Sequence, residues 1–337
     1  GKHGLIMATY KEIKGTNIEV LASDPSNPVE GQVWFNSTDN VLKGQIVTAA
    51  AWATGGNLNT ARSLMGSAGI QTAALAFGGD SGSPPPSGRD LAVTESYNGT
   101  NWTEVNDLNA SRRRIAGNGT TTSALATGGF EPPSVAKVES WNGSNWTEVG
   151  DLNQARSSAG QAGADNTSSI VFGGSNPSGT NLVLTETWNG SAWTEVNDLN
   201  TAGYGVTGVG ILTAALASDR ADATDTAQAV IETWNGTNWT EVANLNTPRY
   251  YAGGSCSGTN TAALYFGGQT PPGVTAVNES WNGSSWTEIV DLSIARAGAG
   301  GSGIQASALA FGGAPPYMNS TEEFSNAANT TVTFTDS

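Results

Sequence analysis

Residues 139–152 read ESWNGSNWTEVGDL, and this stretch decides the fold. Close copies begin at Glu95 (ESYNGTNWTEVNDL), Glu186 (ETWNGSAWTEVNDL), Glu232 (ETWNGTNWTEVANL) and Glu279 (ESWNGSSWTEIVDL), with a worn sixth at Glu322 (EEFSNAANTTVTFT). The glutamates are spaced by 44, 47, 46, 47 and 43 residues. A period in the forties carried by short aromatic-rich segments marks a repeat architecture. Asn-Gly between two such runs predicts a tight hairpin, because both residues accept positive φ at small cost. Tyr97/Trp102, Trp141/Trp146, Trp188/Trp193, Trp234/Trp239 and Trp281/Trp286 flank the four-residue turns and are expected to face each other across paired strands.

Outward from the hairpin, further landmarks keep the same register. Trp52, Trp102, Trp146, Trp239 and Trp286 are each followed ten residues later by an arginine: Arg62, Arg112, Arg156, Arg249 and Arg296. A small-residue stretch comes next, then an apolar run ending in two glycines, the second being Gly79, Gly129, Gly174, Gly268 or Gly313. A loop of variable length leads back to the hairpin. Each unit thus predicts four strands. The fourth unit departs from the pattern, with Gly203 where the arginine belongs and Ser218-Asp219 in place of the glycine pair.

An apolar strand ending in Gly-Gly, then an aromatic, then a Trp, at this period, resembles the Kelch repeat across residues 46–337. The resemblance implies an all-β, six-bladed Kelch-type β-propeller of four-stranded antiparallel blades. The orphan Trp52 strand is expected to close the blade begun at Arg296, with TTVTFTDS either surplus or taking that closing role. Residues 1–45 lack the repeat and hold four of the five lysines. They read as a separate extended or hairpin segment, connecting or anchoring the propeller, with 1–6 as an upstream extension.

Composition narrows the chemistry. Charged residues make up 13%, and 29 acidic against 14 basic side chains give a net charge of −15. Nucleic acid and anionic membranes are expected to be excluded as partners. Cys256 is the single cysteine, so no intrachain disulfide forms. No apolar run reaches the length of a membrane span, and no signal peptide is visible. The Asn-x-Ser/Thr triplets lie in the hairpin turns and read as turn chemistry rather than glycosylation sites.

The same reading argues against catalysis. His3 is the only histidine, which removes His-based triads and His metal clusters, so no catalytic, cofactor or metal residues are assigned. Galactose oxidase, a copper-dependent Kelch propeller, needs a set of histidine and tyrosine ligands that a chain with one histidine cannot supply. The repeated Glu–Arg sets and Trp pairs read as scaffolding, since a site usually breaks symmetry and scaffolding repeats it. Arg112-Arg113-Arg114 is the one run that does break it. Recognition is expected instead on the variable loops 80–90, 130–136, 175–181, 219–228, 269–276 and 314–319. The candidate ligand-binding residues there are Asp80, Arg89, Asp90, Phe130, Glu131, Asn176, Asn181, Asp219, Arg220, Gln269, Tyr317 and Asn319.

The repeat wording, together with GQVWFNSTDNVLKG (31–44), also resembles Kelch-like virion proteins of marine bacteriophages. That second resemblance implies a non-enzymatic virion component (tail fibre, adhesin or capsid-surface module) assembled in the host cytoplasm and released by lysis. Its N-terminal segment would contact other virion proteins, and its propeller a host-surface glycan or protein. The alternative is a soluble carbohydrate-binding propeller.

Overall fold

The computed structural model describes residues 18–83, 89–218 and 220–334. Within them the secondary structure is all strand, divided between two compact units, Ala51–Asn326 and a smaller one joining the two chain ends.

Among the described residues, Ala51–Asn326 contains six four-stranded sheets, each antiparallel throughout. Five are contiguous in sequence; the first runs Gly66–Ile70, Ala73–Asp80, Asp90–Tyr97, Trp102–Val105. The sixth takes three strands from Gly300–Ser325 and its outer strand, Ala51–Thr54, from the other end of the unit, with Trp52 opposite Phe324. The first strands of successive sheets touch in order from Gly66–Ile70 through Gly300–Ile304 and back to Gly66–Ile70, so the sheets form a closed ring. Trp52 therefore closes the propeller, as its position in the repeat predicts.

The hairpin reading holds in detail. Each aromatic pair is directly opposed, as in Trp141 with Trp146, whose ring centroids lie 5.3 Å apart. In the Asn-Gly turns the two residues divide the work differently from expectation. Gly143 carries the positive φ (+92°), whereas Asn142 lends its side-chain oxygen to the N–H groups of Ser144 and Asn145. The first aromatic donates its indole N–H within its own sheet, as Trp141 does to Thr121 O. The second reaches the preceding sheet: Trp146 bonds Thr94 Oγ1 at 3.1 Å and lies edge-on to Phe77. The Trp pairs thus fill the seams between sheets, where burial of large aromatic area is the main stabilising term.

The repeated glutamates meet the repeated arginines. Glu139 accepts Arg112 Nη1 at 2.6 Å on one oxygen, and the backbone N–H and side-chain amide of Asn109 on the other. Both side chains are buried. Equivalent sets form at Glu95, Glu186, Glu232, Glu279 and Glu322. Each ties the segment entering a sheet to that sheet's third strand. Burial draws the pKa of Arg62, Arg156 and Arg296 downward, and the facing glutamates counter it.

In the fourth sheet the partner of Glu232 is Arg220, 2.9 Å away. The bridge between Tyr204 and Ala221 matches that between Ser63 and Asp80, so Arg220 occupies the second-glycine position. Gly203 keeps the backbone role of the missing arginine, its carbonyl accepting Gly174 N–H as the Arg156 carbonyl accepts Gly129 N–H. The glycine pair is thus replaced one residue later than the sequence reading placed it. Arginine and glycine have exchanged places across one contact. A side chain at Gly203 would meet Arg220 at 2.7 Å, and one at Gly268 or Gly313 would meet its arginine at 3.1 Å.

The second unit joins Gly1–Ala50 and Ala327–Ser337. Its described strands are Glu19–Leu21, Val33–Asn36, Val41–Thr48 and Ala328–Phe334, in that spatial order. The described part of TTVTFTDS, residues 330–334, thus belongs to this sheet and not to the propeller, and the compact ring is Ala51–Asn326 rather than 46–337. Residues 1–17, including the proposed extension, lie outside the described residues. Asp24 is the hub of the small sheet, accepting from buried Trp34 Nε1, Asn36 Nδ2 and Lys43 Nζ. The Asn36 bond, then those from Lys43 and Trp34, hold its pKa down to about 2. A carboxylate whose folded pKa is depressed contributes stability above its unfolded value, lost as pH falls through the folded one. The Trp34 indole N–H resonance should therefore be constant above about pH 4 and shift with a midpoint near pH 2. Asp24→Asn should abolish that titration; a Trp34 signal that still titrates in the variant would refute the assignment.

Candidate binding face

The face that carries the variable loops is set by two residues after each arginine position. The first of these bridges to the residue that follows the second glycine: Ser63 to Asp80, Arg113 to Phe130, Ser157 to Ser175, Tyr204 to Ala221, Tyr250 to Gln269 and Ala297 to Ala314. Each loop is thereby pinned to the inner end of its sheet.

The next residues are Leu64, Arg114, Ser158, Gly205, Tyr251 and Gly298, and all have positive φ, between +53° and +70°. Their backbones form a closed circuit. Leu64 N–H donates to Gly298 O, Arg114 to Leu64, Ser158 to Arg114, Gly205 to Ser158, Tyr251 to Gly205 and Gly298 to Tyr251, at 2.7–3.0 Å. This belt rims one end of the central axis and satisfies backbone groups that the strand ladders leave unpaired. Four of the six positions hold a side chain in a conformation that favours glycine, at a cost of about 1–2 kcal/mol each.

What the belt repeats in backbone it breaks in side chain. Tyr251 crosses to Ser158, two sheets away, with 2.9 Å between the hydroxyls. Gly205, lacking a side chain, leaves room for the Tyr250 and Tyr251 rings, which a Cβ there would meet at 3.2–3.3 Å. Tyr204, Tyr250 and Tyr251 form a cluster with ring centroids 5.4–5.9 Å apart, and Tyr204 donates to Asp225. Burial raises the pKa of Tyr251, against the pull of the Arg114 charge. Elsewhere on the rim Phe130 underlies two guanidinium groups, Arg113 at 4.6 Å and Arg114 at 5.7 Å from its centroid. The rim encloses about 90 Å³. Below it the axis holds about 100 Å³ more, walled by the small residues of the first strands and by Gln161.

Only part of the sequence-derived set converges. Asp80, Arg89 and Asp90 form one network: Arg89 donates to both Asp80 oxygens at 2.9 Å, and Arg113 pairs with Asp90. Burial opposes the Asp80 charge, but the bonds from Arg89 and Gly82 outweigh it and hold its pKa below the usual range. Phe130 joins this group through Arg113. Tyr317, on the loop of the sixth sheet, lies against this network: a Cβ at Gly82 would strike its ring, and it bonds Arg89. The others serve their own loops. Glu131 pairs with Lys137 at 2.8 Å, Asn176 caps Ser178 and Thr180, and Gln269 opens a short hairpin. Asn181 and Asn319 donate to the Ala221 and Leu58 carbonyls. Arg220 is part of the buried frame, and Asp219 lies outside the described residues.

Ser158, Tyr204 and Tyr251 were not singled out by sequence, and Arg114 was noted only as part of the unrepeated arginine run. The signal that finds them is positional: they stand one or two residues beyond the arginine position, where the aligned units disagree most.

No protein-family model and no curated protein sequence matches the chain. Solved structures do, among them one described as the structure of YjhT, with a TM-score of 0.67 over 81% of this chain and 99% of that one. Identity to it is 11%, so the likeness is one of architecture. The fold that this chain shares with YjhT is a Kelch-type β-propeller.

Proposed function

We propose that the chain is a non-enzymatic bacteriophage virion component that displays its propeller to bind a host-surface glycan. The observation that carries the binding role is the broken symmetry of the rim. Trp pairs and Glu–Arg sets repeat around the ring and are used up in holding it together. At the rim a shared backbone carries Leu64, Arg114, Ser158 and Tyr251 beside two glycines, which is how a repeat scaffold diversifies a surface. Aromatic rings, hydroxyl groups and a guanidinium are the usual chemistry of saccharide contact, where C–H faces stack and hydroxyls exchange hydrogen bonds. The Asp80 and Asp90 carboxylates are engaged by arginines rather than presented as an acid–base pair.

Support for attachment to a particle comes from residues 31–44, which resemble phage hairpins and here form Val33–Asn36 and the start of Val41–Thr48 in a unit separate from the propeller. The test is mass spectrometry of gradient-purified particles from the source. Stoichiometric presence is expected. Absence from intact particles would overturn the virion assignment and leave a soluble carbohydrate-binding propeller, to be screened as free protein on a glycan array.

A further inference from the structure

Eleven basic side chains fall within the described residues: Lys43, Lys137 and nine arginines. Ten of them have a carboxylate within 4.0 Å. Arg114 is the exception among the described residues. In a chain with twice as many acids as bases, an arginine without a carboxylate stands out. Its neighbour Arg113 has two acidic partners, Asp90 and Asp80. A solvated surface arginine would need no explanation, but Arg114 is only partly exposed; its Nε is buried without a hydrogen-bond partner, as in the ion-paired Arg62, Arg112, Arg113 and Arg249, and what sets it apart is the missing carboxylate. Its backbone also stays at φ +56°, where Gly205 and Gly298 stand at the equivalent positions. Retaining arginine there sacrifices stability, as does leaving a charged donor unsatisfied.

We infer that the rim holds the carboxylate of an acidic sugar, with the Arg114 guanidinium as its partner and one hydroxyl of the hydrogen-bonded Ser158–Tyr251 pair as a further donor. The identity of the anion follows from three observations. The guanidinium fork matches a planar carboxylate in two parallel hydrogen bonds. Among the described residues, Arg114 is the single basic side chain at the rim without a carboxylate within 4.0 Å, and the Asp225 carboxylate lies on the tyrosine side of the same cluster, which suits a monoanion and disfavours a phosphate dianion. The rim opening, about 90 Å³, has room for several water-sized groups beside Arg114, enough for a carboxylate and its attached carbon. The sugar ring would rest against the Tyr204–Tyr250 side or on Phe130.

This inference rests on the glycan-binding reading, and the probes separate the two. Binding of acetate, D-galacturonate and the galacturonate methyl ester to the full chain is measured by saturation-transfer NMR, with Arg114→Gly and Arg114→Lys alongside. Glycine is the residue that the fold itself uses at two equivalent positions, so Arg114→Gly should fold with an unchanged or higher melting temperature. Galacturonate should bind at least tenfold more tightly than its ester, lose that advantage in Arg114→Gly, and retain part of it in Arg114→Lys, which keeps the charge without the fork. Acetate and galacturonate binding equally, both through Arg114, would uphold the carboxylate site and defeat the saccharide reading. Acid and ester binding equally, or neither acid binding to the folded protein, would overturn the inference.

Discussion

Arg220→Gly should lower the unfolding free energy by about 3–5 kcal/mol, the loss expected when one member of a buried ion pair is removed and the other left uncompensated. Glu232 is fully buried and has Arg220 as its ion-pair partner in the fourth sheet. The informative experiment is the exchange. Gly203→Arg alone should also destabilise, since its Cβ would lie 2.7 Å from that of Arg220 and a second guanidinium would enter a site built for one. Combined with Arg220→Gly, the same substitution restores the arrangement of the other five sheets. The double variant should then recover most of the loss, a strong non-additivity of the kind seen between residues in direct contact. Urea unfolding of the four proteins measures it. Additive losses would show that the two positions are not alternative seats for one arginine.

The second large effect is expected at Gly208. A Cβ there would stand 2.2 Å from Gln161 O and 2.6 Å from Gln161 N. Both atoms belong to the neighbouring sheet's first strand, Gly160–Asp165, and backbone cannot rotate aside as a side chain can. Gly208 is not in the left-handed region, so the requirement is for space between adjacent first strands and not for a special conformation. Gly117 against Ser67 and Gly301 against Gly254 repeat the contact around the axis. Gly208→Val should therefore exceed the roughly 1–3 kcal/mol of ordinary overpacking and prevent the ring from closing. Gly273→Val is the control, because a Cβ at Gly273 meets nothing within 4 Å. Soluble yield and thermal melts of the two variants decide the matter; equal melting temperatures would refute the close-approach argument.

The scaffold was legible in the chain because its causes are local or periodic. Strand-forming runs, Asn-Gly turns and aromatic partners five residues apart depend on near neighbours. The arginine and the glutamate each recur at a fixed offset from the tryptophan of a hairpin, as Arg112 does from Trp102 and Glu139 from Trp146, so even the buried ion pairs could be anticipated. The exchange of arginine and glycine in the fourth unit could not. It conserves a guanidinium's place in space while moving it 17 residues along the sequence, from 203 to 220. The seat of the C-terminal strand was also left open, because an apolar-alternating run pairs with whatever edge is near. Here that edge is Val41–Thr48.

The binding rim belongs wholly to the tertiary structure. Ser158 and Tyr251 are 93 residues apart and share a hydrogen bond only because the ring returns the inner end of every sheet to one axis. Arg114 reads in sequence as the third of three arginines. Folding buries the first against Glu139, pairs the second with Asp90 and leaves the third at the axis. The sequence by itself determined a repeated four-stranded unit and the contacts that hold each copy together, since these rest on neighbours and on a fixed period. Closure around an axis decided which unrepeated side chains meet, because that contact depends on each unit's place in the ring and on nothing nearby in the chain.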